Sequence, residues 1–353
     1  MRRVLLVLGF FALLSSRAAA QDAIAMTFRT IADNAYKFSD LDISADGSRV
    51  LYITCVPRHW WSFLPGGVKK VLEFWSGCPH KRIVIADDTG KAIASAPFDG
   101  SNHNPHFVDR DTIAYGQGSG CDIVVAAISP DGTLRKVAER VVPQALLHSN
   151  LHLSAANLDG QIYAAVEHPA GRLAIESLSG EDLHVLDDFD VERVNGMGLT
   201  HDIVWFRVAI KHTVAAAYAG PAKILGDYPF PGGGGPGVDE AVGFAAIGPE
   251  AETISAELVR NFEDIDGPLP WRYVAYDRSK YGIRNISPGG TVLTSVSGHD
   301  YYILQREGMS YRKLRIEGPD GLWPAAVSDN GRVVLLRDDG DGHRTVMLGT
   351  LED

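Results

Sequence analysis

The sequence predicts an all-β fold, a β-propeller of seven four-stranded blades, with six as the alternative count. Three observations carry this. An apolar run, a polar Asp-Gly turn and a second apolar run follow one another in Asp42-Ile-Ser-Ala-Asp-Gly-Ser-Arg-Val-Leu-Tyr-Ile53, and Asp and Gly tolerate the backbone angles of a tight hairpin. The phrase recurs in degraded form, with turns starting at Ser44, Asp109, Asn157, Thr200, Gly248, Ser287 and Ser328, spaced by 65, 48, 43, 48, 39 and 41 residues. The first spacing falls to 43 if the 22 residues between Cys55 and Cys78 are an insertion. A strand-rich repeat of about 40–45 residues is the signature of propeller blades.

In chain order, the first twenty residues read as a secretory signal. Arg2 and Arg3 form the basic start, Val4 to Leu14 the apolar stretch, and Ala18-Ala-Ala20 the small-residue cleavage site before Gln21. The stretch is short for a membrane span, and an uncleaved anchor is the alternative. The expectation is an exported protein, periplasmic or secreted, with residues 21–353 forming one propeller domain and no transmembrane span. Removing residues 1–20 takes away Arg2, Arg3 and Arg17 and no acid, so the net charge moves from −11 to −14. An acidic chain without a Lys/Arg cluster argues against nucleic acid or anionic lipid as a partner.

The second blade reads as strands at 105–108, 112–115, 121–128 and 133–137, the third as strands at 150–154, 161–166, 172–178 and 182–186. Imperfect alternation suits sheets packed on both faces. The last blade reads as strands at 323–327, 332–337 and 344–351, one short of four. Residues 25–31 supply the missing strand if the ring closes and leaves no exposed edge. A short helix is the rival reading, since Phe28, Ile31 and Ala32 also share a helical face. Pro229 to Val238, with Gly232 to Gly235, reads as a flexible connection between blades four and five. It is no phosphate loop, because no Lys-Ser/Thr and no helix follow.

Within a four-stranded blade, second-to-third-strand loops and blade-to-blade connections lie on one face. The Asp-Gly anchors lie on the other and read as structural. The first face collects the unusual residues. The insertion at 56–77 leaves and rejoins adjacent antiparallel strands, which predicts a Cys55–Cys78 disulfide and leaves Cys121 over. Pairing of Cys121 with either is the alternative. The entropy model assigns such a loop roughly 3 kcal/mol of stabilisation. Trp60, Trp61, Phe63, Leu72, Phe74 and Trp75 make the insertion either a flap packed on the propeller mouth or an aromatic surface for a partner, a sugar or a membrane interface.

His103 and His106 fall between blades one and two, His148 and His152 between blades two and three, and His299, Asp300 and His343 in later loops of this face. Paired histidines at the channel mouth would suit a divalent metal or proton transfer, but no fixed-spacing motif such as HExxH supports a metal. The reading therefore names no metal and no cofactor. The acidic-aromatic loop ending at Trp271 belongs to the same face. The run from Arg337 to His343 lacks the downstream bidentate Glu of a calcium loop and reads as a polar hairpin.

Ser44-Ala-Asp-Gly-Ser-Arg-Val-Leu-Tyr-Ile53, Ala127-Ile-Ser-Pro-Asp-Gly-Thr-Leu134 and Val327-Ser-Asp-Asn-Gly-Arg-Val-Val-Leu-Leu336 resemble the repeats of TolB-type propellers and of the propeller half of prolyl oligopeptidase-family enzymes. The opening Met26-Thr-Phe-Arg-Thr-Ile-Ala-Asp33, leading into Leu41-Asp-Ile-Ser-Ala-Asp-Gly47, resembles the start of those peptidases. The likeness lies in fold-making turns, so it implies architecture and not activity. The chain departs from both families. No Gly-x-Ser-x-Gly nucleophile elbow is found, the α/β-hydrolase domain of the peptidases is expected to be absent, and so is the extra domain of TolB. The sialidase-type Asp box is also missing.

Three functions remain open from sequence. The favoured one is a stand-alone binding module that presents the face of the 56–77 insertion to a protein or peptide. The others are a lyase, lactonase or glycosidase with a His/Asp-lined mouth, and a noncatalytic relative of an oligopeptidase propeller.

Overall fold

The computed structural model describes residues 23–33, 35, 41–55, 81–98, 103–117, 122–140, 154–158, 161–167, 173–179, 182–186, 191–199, 203–211, 238–246, 257, 282–296, 300–317, 321–338 and 344–352. Among them the architecture is almost wholly β, in six antiparallel sheets that follow the chain. The first holds β2 (Asp42–Ile43), β3 (Arg49–Cys55), β4 (Lys81–Asp87) and β5 (Ala92–Phe98). The second holds β6 (His103–Asp109), β7 (Thr112–Gln117), β8 (Asp122–Ile128) and β9 (Leu134–Arg140). The third holds β10 (Ser154–Leu158), β11 (Gln161–Glu167), β12 (Leu173–Ser177) and β13 (Asp182–Leu186). The fourth shows β14 (Val191–Leu199), β15 (Ile203–Lys211) and β16 (Val238–Ala246). The fifth holds β17 (Gly282–Ile286), β18 (Val292–Val296), β19 (Asp300–Glu307) and β20 (Ser310–Glu317). The sixth is β21 (Leu322–Val327), β22 (Val333–Asp338) and β23 (Arg344–Leu351), completed by β1 (Ala23–Ala32).

The first strands of the sheets touch in cyclic order: β2 meets β6, β6 meets β10, then β14, β17 and β21 follow, and β21 returns to β2. Radial sheets whose inner strands close a ring make a β-propeller. The described strands form six blade sheets, the fourth shown with three strands. Residues around Gly248, the anchor of the expected fifth blade, lie outside the described residues.

The ring closes through its first strand. β1 pairs antiparallel with β23, Met26 opposite Leu351 and Thr30 opposite Met347, and its start pairs parallel with β20, Ala23 opposite Arg315. The strand reading of this segment holds and the helical reading does not. β1 hides the edge that β23 would otherwise expose. After β1 the chain crosses to the first blade, where Ala35 donates its N–H to Arg344 O at 3.0 Å and bridges to Thr54.

The apolar runs have a direct explanation. Successive side chains of a strand point to opposite faces, and each face of these blades meets another blade. On β3, Val50 and Tyr52 pack toward the sixth blade with Val334, Leu336 and Val346. Leu51 and Ile53 pack toward the second blade with Phe107 and Ile113. On β22, Val333 and Leu335 turn the other way, to Leu293, Ile303 and Leu314 of the fifth blade. Both parities are buried, so period-2 alternation disappears from the text. Each fully buried Ile or Leu contributes about 1.5–3 kcal/mol.

Two expectations shift. The described first strand of the third blade, Ser154–Leu158, runs through Asn157 and Leu158, which the repeat pattern assigns to a turn, and pairs directly with β11 as Leu158 opposite Gln161; residues 150–153 lie outside the described residues. The Gly-rich stretch does not join two blades. It falls between β15 and β16, which pair in one sheet from Ile203↔Ala246 to Lys211↔Val238. It is thus a second-to-third-strand connection, the same place in its blade as the 56–77 insertion in the first. The weak Thr200 and Gly248 turns gave no firm frame for this part of the chain.

Candidate functional site

One face of the ring consumes its own polar groups. The anchors at Ser44, Ser287 and Ser328 are serine-headed turns. Gly47 N donates to Ser44 O at 2.8 Å, and Arg49 N donates to Ser44 Oγ at 3.0 Å. Thr291 N to Ser287 Oγ and Arg332 N to Ser328 Oγ, both 2.9 Å, repeat the pattern. Neighbouring turns then lock together. Asp329 Oδ1 accepts from Gly289 N at 2.6 Å, and Asp329 N donates to Ala45 O at 2.9 Å. Arg332 Nη1 donates to Gly47 O at 3.0 Å and lies 3.3 Å from Asp88 Oδ2. Arg49 Nη1 donates to Arg110 O at 2.8 Å and pairs with Asp111 at 2.6 Å. The fifth, sixth, first and second blades are joined by these bonds, so the anchors of these four blades have a structural role.

The carboxylates of this face, in the Ser44 anchor and in the turn between β4 and β5, fit that role. Hydrogen bonding from the Thr89 hydroxyl, against slight desolvation, holds Asp87 below the usual carboxylate range. For Asp46, desolvation is outweighed by donation from Ser44 and Ser48 and by the Arg110 charge, and the result is again low.

The opposite face is built differently. Its rim is set by the strand ends that the long connections leave and rejoin. Cys55 stands opposite Lys81, Gln117 opposite Asp122, Val296 opposite Asp300, and Asp338 opposite Arg344. The Cys55–Lys81 rung shows that both ends of the 56–77 insertion leave neighbouring strands, the premise of the disulfide reading. Cys78 and Cys121 lie outside the described residues. Asp338 Oδ2 and Arg344 Nη2, 3.3 Å apart, close the base of the 337–343 hairpin.

The inner strands start on this rim and run toward the anchors. His103 opens β6, and His106, half-buried, follows on the same strand. Asp300 opens β19, the third strand of the fifth blade. Trp60, Trp61, His148, His152, Trp271, His299 and His343 lie outside the described residues. The structure thus brings His103 and His106 to one inner strand at the mouth. Among the described residues no group of three or more His, Cys, Asp or Glu is arranged to hold a metal.

Sequence reasoning missed two features. Trp323, the second residue of β21, starts an inner strand at this rim and is 56 % exposed between the buried Leu322 and Pro324. Its signal was its place, since inner-strand starts border the channel. The second is the seam below the rim. Asp42 Oδ2 accepts Phe107 N at 2.6 Å, tying β2 to β6, and Asn285 Oδ1 accepts Val327 N at 3.0 Å, tying β17 to β21. Burial pushes the Asp42 carboxyl from an ordinary 3.8 up to about 7, against the N–H groups of Phe107 and Ile43.

No protein-family model matches the chain, and no curated protein matches it. Among solved structures it is similar to the crystal structure of the RRP9 WD40 repeats, with a TM-score of 0.44 and 10% identity over 92% of this chain and 97% of that one. The propeller assignment rests on the strand order and the cyclic contacts of the inner strands.

Proposed function

We propose that this chain is an exported β-propeller that binds a protein or peptide through the face carrying the 56–77 insertion. The supporting observation is the contrast between the two faces. The anchor face spends its donors and acceptors on neighbouring blades, from Gly289–Asp329 through Arg332–Gly47 to Arg49–Arg110. The opposite rim presents Trp323 to solvent. Tryptophan is enriched where partners dock, because its large apolar body carries a polar handle. Among the described residues no helix is long and apolar enough to cross a membrane. The reading includes a peripheral contact through the aromatic insertion, a Cys55–Cys78 disulfide and a TolB-like ancestry of the repeats.

Cross-linking in the exported fraction of producing cells tests it. Cross-links should map to 56–77 and to the Trp323 rim, and Trp323→Ala should weaken them at least threefold. Cross-links confined to the anchor turns would overturn the reading. Amino-terminal sequencing should begin at Gln21, and an intact leader would refute cleavage.

A second reading, an enzyme with a His/Asp-lined mouth, is favoured by His103 and His106 sharing the inner strand β6. Turnover abolished in a His106→Ala variant that still folds would move the assignment there.

A further inference from the structure

The last anchor turn carries the dipeptide Asn330-Gly331, and β14 carries the chain's other Asn-Gly pair, Asn195-Gly196. In such a pair the glycine nitrogen can attack the asparagine side-chain carbonyl, because no Cβ on the glycine crowds the five-membered ring that forms. Asn330 is exposed, so water and base reach it.

The folded turn holds both reacting groups. Gly331 N donates to Ser328 O at 3.0 Å, with Gly331 at a φ of +78°. Asn330 Oδ1 accepts from the Ser328 hydroxyl, and Asn330 Nδ2 donates to Asp46 O at 3.0 Å. The two ends of the amide serve different purposes. Oδ1 shapes its own turn, and a carboxylate does the same at the matching position elsewhere. Asp46 accepts Ser44 Oγ at 2.7 Å and Ser48 N at 3.0 Å, and Asp131 accepts Thr133 N at 3.1 Å. Nδ2 instead joins the sixth blade to the first, and it is a donor that a carboxylate lacks.

We propose that Asn330 is a deamidation site gated by closure of the ring. Closed, the junction keeps the side chain on Asp46 and the Gly331 N–H on Ser328. When the sixth blade's anchor parts from the first blade's, Gly331 N gives its proton to solvent base and bonds to Asn330 Cγ. The Cγ–Nδ2 bond breaks and ammonia leaves. One water then opens the cyclic imide to an aspartyl or an isoaspartyl residue. The net change is one water consumed and one ammonia released. In the product an acceptor faces the Asp46 carbonyl, so the closing bond does not return. The modified turn records that the ring has opened.

Mass spectrometry on the full mature chain, incubated in mildly alkaline buffer with and without urea, tests this. In urea both Asn330 and Asn195 should convert, each gaining the mass difference between amide and acid. In the folded chain Asn330 should convert more slowly by at least about tenfold, the factor that two hydrogen bonds of ordinary net strength supply. Arg332→Ala removes the contacts to Gly47 O and Asp88 at the same junction. It should speed conversion of Asn330 in the folded chain by about threefold or more and leave Asn195 unchanged. If that variant does not fold, Asp88→Asn, which weakens the hold on Arg332 from one side, is read in the same way. Equal rates at Asn330 with and without urea, no conversion in urea, or a loosened junction that leaves Asn330 unchanged would each overturn the proposal. A speed-up shared equally by Asn195 would assign the effect to global unfolding and overturn the gate as well.

Discussion

Asn330 donates its side-chain amide to the backbone carbonyl of Asp46 at 3.0 Å, across 284 residues of sequence. The last anchor turn thereby holds the first, and Arg332 adds two contacts to the same junction, at Gly47 O and Asp88. Asn330→Ala should lower unfolding free energy by about 1 kcal/mol and Arg332→Ala by about 1–2 kcal/mol. Urea titration should show a lower midpoint with an unchanged slope for both.

Two glycines separate backbone strain from crowding. Gly47 and Gly308 have nearly the same left-handed φ, +69° and +66°. A Cβ at Gly47 would lie 2.7 Å from Arg332 Cδ and 2.9 Å from Asn330 Oδ1, whereas one at Gly308 meets nothing within 4 Å. Gly308→Ala should cost about 1 kcal/mol from strain alone, and Gly47→Ala about 1–3 kcal/mol more. Equal losses in thermal unfolding of the two variants would refute the crowding argument.

Arg140 on β9 donates to Glu176 on β12, joining the second and third blades; Glu176 is 1% exposed. Removing one partner strands the other charge in a partly buried site. Glu176→Ala should destabilise by about 3–5 kcal/mol. A double variant, Arg140→Met with Glu176→Leu, should recover much of that loss, and chemical denaturation of the four-member cycle measures the coupling.

Deleting residues 21–32 removes β1 and bares the outer edge of β23. The truncated chain should self-associate, seen as larger species in size-exclusion chromatography. A synthetic peptide of residues 23–32 should return it to monomer. Truncated protein that stays monomeric alone would show that β1 is dispensable for capping.

Much of the fold was legible because turns write themselves into sequence. Ser44-Ala-Asp-Gly47 and Ser328-Asp-Asn-Gly331 place a hydroxyl, a carboxyl or amide, and a left-handed glycine where the hairpin uses each. Where the turn was weakly spelled, at Thr200 and Gly248, the frame slipped, and the Gly-rich stretch was read as a blade boundary. The apolar runs named strands but not their partners, since both parities are buried. The site was less legible. His103 and His106 were found by residue type. Trp323 and the Asp42–Asn285 pair depend on where a strand begins and on an offset from the serine, which become visible only once the blades are in register.

The antiparallel pairing of β1 with β23 has a consequence for the order of the chain. Glu352 N donates to Ala25 O at 3.2 Å, and Thr27 Oγ1 donates to Glu352 Oε1 at 2.8 Å. The first strand and the last residues therefore lie side by side. A short linker from Glu352 to Ala23, with new termini opened at the exposed turn of Gly308, should therefore write a circular permutant of the same propeller.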